Sequence, residues 1–178
     1  PAPSPDTNPY QCADDALGRR TKWTDRLGRV TAYGYDLAGR ETLSVTPDGK
    51  EHLTAHDAAG NVVERIFRGD PSDASLDVTE TYTYDQNNRL ATRTDPDGCK
   101  TTLGHNALGL LKTVTDASGD TRTDIHSPGG QLVAQLAPGG ARIDYEYTLD
   151  GRIAANTYAL AYAYVADSDR VAPCVLSR

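Results

Sequence analysis

Apolar positions along the chain fall in short runs of about six or seven residues rich in Thr, Val, Tyr and Leu. Turn signals cut these runs at alternating intervals of 10 and 11 residues. Runs of that length fit single β-strands of roughly 20 Å, and Thr, Val and Tyr favour the extended state. No segment carries a helical period. The pattern predicts an all-β chain, an antiparallel meander of repeated β-hairpins with about a dozen strands.

The turns are copies of one another. One phrase begins at Asp14, Tyr35, His56, Tyr84, His105, His126 and Tyr147, with spacings of 21, 21, 28, 21, 21 and 21 residues. The 28-residue unit holds a seven-residue insertion around Arg68 to Leu76. The second position of the phrase holds Asp15, Asp36, Asp57, Asp85, Asn106, Ser127 and Thr148, each with a side-chain oxygen that can accept from a backbone N–H two residues on. The fifth position is Gly18, Gly39, Gly60, Asn88, Gly109, Gly130 and Gly151. Glycine and asparagine are the residues that best tolerate φ > 0. Together these columns predict a type I turn closed by a left-handed residue, the three-residue hairpin loop with a glycine bulge. A second turn falls between each pair, as in "TPDG" from Thr46 and "DPDG" from Asp95. Proline at its first central position suits a type I turn again.

Such a loop places the first residue of the phrase opposite the seventh: His56 with Val62, Tyr84 with Leu90, His105 with Leu111, His126 with Leu132 and Tyr147 with Ile153. Aromatic on aliphatic is a favourable cross-strand pair worth ~0.2–1 kcal/mol. Three of the four histidines, all but His52, therefore stand in a tyrosine column, where they read as packing rings rather than reacting groups. His105 and His126 occupy equivalent places two strands apart, ~10 Å at a strand spacing of ~4.8 Å. One zinc with bonds of ~2.0–2.1 Å does not span that distance.

Composition narrows the partners. The 178 residues carry a net charge of −7, which disfavours nucleic acid and anionic membrane surfaces. No apolar run approaches a membrane span. There are 10 Tyr against one Phe, one Trp and no Met; without Met, Pro1 is expected to be a cut or cloning boundary. Cys12, Cys99 and Cys174 are odd in number and far apart, so neither a disulfide framework nor a CxxC site is expected.

The phrase Tyr-Asp-x-x-Gly-Arg near a 21-residue period, with Pro-x-Gly between copies, resembles the YD-repeat or RHS-repeat family. "YDLAGRETLSVTPDGK" and "YDQNNRLATRTDPDGCK" carry the resemblance, and it extends from about Asp14 to Arg152. It implies a curled sheet that forms part of a YD/RHS-repeat shell. In bacterial Rhs proteins and insecticidal toxin-complex C components such a shell encloses a cytotoxic domain. In teneurins similar repeats belong to an extracellular adhesion module, and wall-associated bacterial relatives exist. The family's shell ends in an Asp-Pro-x-Gly segment that cleaves itself. The residues after Arg152 contain no such segment, so neither the cleaving carboxylates nor a toxin domain carry over to this chain.

The expected organisation is a Pro-rich linker or strap over residues 1–13, seven repeats over 14–157, and a C-terminal strand and tail over 158–178. The resemblance implies a non-enzymatic segment of a shell that encapsulates or delivers a toxin in a secreted bacterial assembly. Its partners would be neighbouring repeats or another copy of the chain, and the encapsulated toxin. No catalytic residue, metal ligand or cofactor is assigned. The alternative is a cell-surface carbohydrate-binding or adhesion module with a glycan as partner. The candidate ligand platform is Tyr33, Tyr35, Tyr82, Tyr84, Tyr145 and Tyr147, three Tyr-x-Tyr pairs each on one strand face. "RGD" at Arg68 to Asp70 has the letters of an adhesion tripeptide but reads as ordinary turn chemistry. Unpaired sheet edges are expected near Arg19 and Tyr164. The segment should then be stable only where these edges continue into other repeats, pair with another copy, or are covered by the termini.

Overall fold

The computed structural model describes residues 10–159. The strands are β1 (Gln11–Asp14), β2 (Arg20–Thr24), β3 (Val30–Tyr35), β4 (Glu41–Val45), β5 (Glu51–His56), β6 (Val62–Arg68) and β7 (Val78–Tyr84). They continue with β8 (Leu90–Thr94), β9 (Lys100–His105), β10 (Leu111–Thr115), β11 (Thr121–His126), β12 (Leu132–Leu136), β13 (Arg142–Tyr147) and β14 (Ile153–Ala159). Sheet order equals chain order from β1 to β14, an open antiparallel meander of fourteen strands. The chain divides into two compact units between Thr81 and Tyr82. The described residues contain no α-helix, only one-turn 3-10 segments at Ala74–Leu76 and Pro138–Gly140.

The turn columns behave as their residues dictate. In the second phrase, Gly39 N donates to Asp36 O at 3.0 Å and Asp36 N to Arg40 O at 2.9 Å. The left-handed residue is Gly39 at φ 82°, and in the fourth phrase Asn88 at φ 58°. The second turns close the same way, for example Thr46 N to Lys50 O at 2.9 Å with Gly49 at φ 83°. "APGG" from Ala137 departs from the expected type I turn. Gly139 has φ 83° and ψ 1°, the type II geometry that glycine at the second central position permits.

The register contains a feature the turn signals do not reveal. His56 faces Val62 and His126 faces Leu132, as the phrase predicts, but the next pairs are Ala55 with Glu64 and Ile125 with Ala134. Val63 and Val133 are extra residues, and Thr21, Thr42, Lys112 and Ala154 stand out in the same way. The pairings across the second turns carry no such shift. Each of these phrase hairpins therefore holds a β-bulge at one fixed place, a device that bends and twists the strand carrying it.

The bulge sets how units are offset. Tyr33 pairs with Ser44 and Ser44 with His52, so the lateral neighbour lies 19 residues on, whereas the period is 21. Each unit is displaced by two residues along the strand, about 7 Å over about 10 Å of sheet width, which inclines the line of hairpin tips by about 35°. The insertion leaves this offset intact. Leu53 pairs with Ile66 and Ile66 with Thr79, 26 residues on in a 28-residue unit. Four of the extra residues lengthen the loop and three lengthen β6 and β7.

Burial is thin because the described sheet has no helical layer on either face. Cys99 and Ala134 are the only buried apolar residues among those described. Most strand residues on both faces are half-buried. Two sequence expectations change. The linker expected to residue 13 ends earlier, because Gln11–Asp14 pairs with β2, so the first edge is β1 rather than a strand near Arg19. Cys99 is disulfide-bonded and Cys12 is a free, exposed thiol; distance along the chain had disguised the first. The prolines of residues 1–9 and the edge expected near Tyr164 lie outside the described residues.

Candidate functional site

The densest chemistry lies at the phrase tips. Asp36 Oδ1 accepts from the N–H groups of Ala38 and Arg40, both at 2.9 Å, while its Oδ2 takes Arg40 Nε at 2.6 Å. Arg40 then reaches past its own turn and donates from NH1 to Asp57 O of the next tip at 2.9 Å. Arg19 does the same between Asp15 and Asp36 O, at 2.7 and 3.2 Å, and its guanidinium lies 4.8 Å from the Tyr35 ring centroid. In the second compact unit, Arg89 pairs with Asp85 at 2.7 Å and its NH1 lies 3.5 Å from Asn106 O. The phrase arginine is thus a clamp between successive units as well as a turn-closing group. Where the column changes to Leu110, apolar contact replaces the clamp: a Cβ on Gly130 would sit 3.4 Å from Leu110 Cδ1.

These contacts hold the carboxyls ionised. The side chain of Arg89, with its backbone N–H, brings Asp85 down to about 2. Lys50 and Thr46 do the same for Asp48. Asp15 is lowered chiefly by the Arg19 side chain, Asp36 by the Arg40 backbone N–H, and Asp57 by the Asn61 side chain. A carboxyl depressed in the folded state adds stability that is present above its unfolded value and lost as pH falls through the folded one. The melting temperature is therefore expected to decline between the ordinary value of 3.8 and about 2. A melting temperature that stays level across that window would mean the clamps contribute nothing.

In the tyrosine column, Tyr35 donates its hydroxyl to Arg20 O at 2.7 Å and Tyr147 to Leu132 O at 2.9 Å. The hydroxyl spans to the first carbonyl of the preceding strand, 15 residues back in both cases. Imidazole is shorter than phenol. His56 Nδ1 and His126 Nδ1 are buried without a hydrogen-bond partner. His52, outside the column, packs its ring 5.0 Å from Phe67. Among the described residues no three His, Cys, Asp or Glu side chains converge as metal ligands.

The six platform tyrosines are all half-buried. Tyr33 and Tyr35 of β3 line an open depression with Arg20 and Glu41. Tyr82 and Tyr84 are on β7 and Tyr145 and Tyr147 on β13, with five strands between them in sheet order. The structure therefore does not gather them into one platform. Arg68 of the "RGD" stretch is engaged at the base of the insertion loop, 2.9 Å from Asp77 and 3.2 Å from Glu51. Asp70 caps Ser72 N at 2.9 Å. A polar cluster escaped the sequence reading. Asp124, 9% exposed, accepts from Gln135 Nε2 at 2.9 Å and Arg122 NH2 at 3.2 Å. The signal was present: Asp124 stands two before its phrase, in the column of Tyr33, Tyr82 and Tyr145.

An open meander of hairpins, with arginine clamps joining three pairs of successive tips, defines a repeat-built sheet. The RHS Repeat family profile matches residues 15–51, and the chain belongs to the RHS-repeat, or YD-repeat, family. It is 28% identical over 140 residues to Double-stranded DNA deaminase toxin A of Burkholderia cenocepacia (strain H111), covering 78% of this chain and 8% of that protein. It is 30% identical over 132 residues to Probable deoxyribonuclease RhsB of Dickeya dadantii (strain 3937), covering 73% of this chain and 9% of that protein. The chain thus spans less than a tenth of these curated relatives. The TcdB2-TccC3-TEV crystal structure matches 84% of this chain and 10% of its own, with a TM-score of 0.51 and 15% identity, a likeness of fold. Among the described residues no helix is long and apolar enough to cross a membrane, which says nothing of strands.

Proposed function

We propose that this chain is a non-enzymatic wall segment of a β-shell that encapsulates or delivers a toxin in a secreted bacterial assembly. Residues 14–157 would be its seven wall units, and the partners would be adjoining repeats and the enclosed toxin. The observation that carries this reading is the open fourteen-stranded sheet with half-buried side chains on both faces. Such a sheet gains most by continuing at its edges and by covering one face. The relatives' names support a toxin context, and their deaminase and deoxyribonuclease activities would reside outside the small aligned share. In the parent protein, the enclosed domain is expected to resist protease until the wall is opened by denaturant. Equal cleavage of that domain with and without the wall sinks the reading.

A cell-surface carbohydrate-binding module is the second reading, favoured by the depression between Arg20, Tyr33, Tyr35 and Glu41. A glycan array separates the two. Saturable binding to one glycan, abolished by Tyr33→Ala, selects the second.

A further inference from the structure

We propose that β4, β5 and β6 carry, on the face opposite the tyrosine column, a slot for a linear primary alkylammonium. That chemistry is shared by a lysine side chain and a free aliphatic diamine. Leu43 pairs with Gly34, the residue between Tyr33 and Tyr35, which sets Leu43 on the face away from the tyrosines. Leu43 then pairs with Leu53, Leu53 with Ile66, and Ala55 with Glu64, so these five side chains share one face of the sheet. They line an open slot of about 360 Å³ that lies wholly within the first compact unit. The volume is at the small end for a small-molecule site. Apart from two threonines and Glu64, the lining is aliphatic.

Glu64 selects the ligand. It is half-buried, and its carboxylate makes no hydrogen bond or ion pair among the described residues. Arg68, the cation on the same strand face, stands four residues on, roughly 13 Å away along the strand. It is already held by Asp77 at 2.9 Å and Glu51 at 3.2 Å. A partly desolvated carboxylate without a partner is unfavourable. Strand geometry does not ask for one there, since the same place in the other units holds Lys22, Leu43, Thr92, Thr113, Ala134 and Ala155. A single acid beside aliphatic walls fits a ligand with an apolar stem and a cationic head, as a lysine side chain has. A divalent cation needs several oxygen ligands, and no such group converges among the described residues. An anionic or wholly apolar ligand would leave Glu64 unpaired. The site stands apart from the wall reading and holds whichever way this face is turned.

Isothermal titration calorimetry of the 178-residue chain with N-acetyl-lysine methylamide, cadaverine and N-acetyl-norleucine methylamide tests this. An amine is expected to saturate a single site. The norleucine derivative keeps the stem but lacks the ammonium, and it is expected to bind about tenfold more weakly or less. Tighter binding of the lysine derivative assigns the slot to a polypeptide side chain, and tighter binding of cadaverine assigns it to a free diamine. Glu64→Gln keeps the shape and removes the charge, and it is expected to weaken the amines by about tenfold with an unchanged melting curve. The absence of saturable binding by either amine overturns the proposal. So does norleucine binding as tight as that of lysine in the wild type, a comparison that needs no variant. Amine binding that survives Glu64→Gln also overturns it and assigns the amines to the acidic surface at large. Each failure leaves the wall reading to its own test, the protease protection of the enclosed domain.

Discussion

Replacing Gly39 with valine destabilises the chain by about 1–2 kcal/mol or more, the cost of forcing a β-branched residue into the left-handed region. Gly39 has φ +82°, and a Cβ there would also lie 3.8 Å from Arg19 NH1, the atom that clamps the first tip to the second. The substitution therefore strains its own turn, while the 3.8 Å approach to Arg19 is an ordinary van der Waals contact. Urea unfolding followed by the fluorescence of Trp23, the single tryptophan, measures the loss. Gly39→Asn supplies the control. Asn88 holds the same column at φ 58°, so asparagine should cost a small fraction of what valine costs. Equal midpoints for wild type and Gly39→Val would disprove the turn geometry.

Converting His56, His105 and His126 together to tyrosine is expected to stabilise the fold while leaving any binding activity intact. The tyrosine hydroxyls of the column bond carbonyls 15 residues earlier, and the equivalent carbonyls for the three histidines belong to Glu41, Leu90 and Leu111. A new hydrogen bond contributes about 0.5–1.5 kcal/mol net. His56→Tyr and His126→Tyr should gain most, because each also removes a buried nitrogen that lacks a partner. Thermal melting of the single and triple variants reads the gain. A triple variant that keeps its fold but loses a measured activity would give the histidines a chemical role. Bound metal in the purified wild type would do the same.

The turns were legible because each depends on two or three residues close in sequence. Asp36 and Gly39 specify their loop without help from the rest of the chain, and the phrase pairs His56 with Val62 directly. The tyrosine and histidine column could be placed for the same reason. The bulge could not, since the extra residue is Thr, Val, Lys or Ala and has no chemical signature. Nor could the arginine clamp. Asp36 to Arg40 is a local pair, but Arg40 to Asp57 O requires knowing which tips are neighbours in space. The spread of the tyrosine pairs along the sheet was hidden for a related reason. Three Tyr-x-Tyr pairs look alike in sequence, yet sheet order sets two of them five strands apart. Asp124 was missed because a lone carboxylate inside a strand draws no attention until Gln135 and Arg122 are seen around it.

The bulge also explains why a repeat with an odd number of residues can exist. Side chains alternate between the faces of a strand, so an offset of one residue between units would turn every column over at each repeat. If Thr42 or Val133 were paired rather than bulged out, the lateral neighbour would lie 20 residues on in a 21-residue period, and tyrosines would alternate between the two faces from unit to unit. With the bulge, the offset is two, and parity is restored. The 28-residue unit obeys the same rule at 26, so seven residues were accommodated without inverting anything downstream. Arrays of this kind can gain or lose whole units, or loops that preserve the even offset, while drawing a single bulge residue into the ladder would exchange the two faces of the strands that follow it.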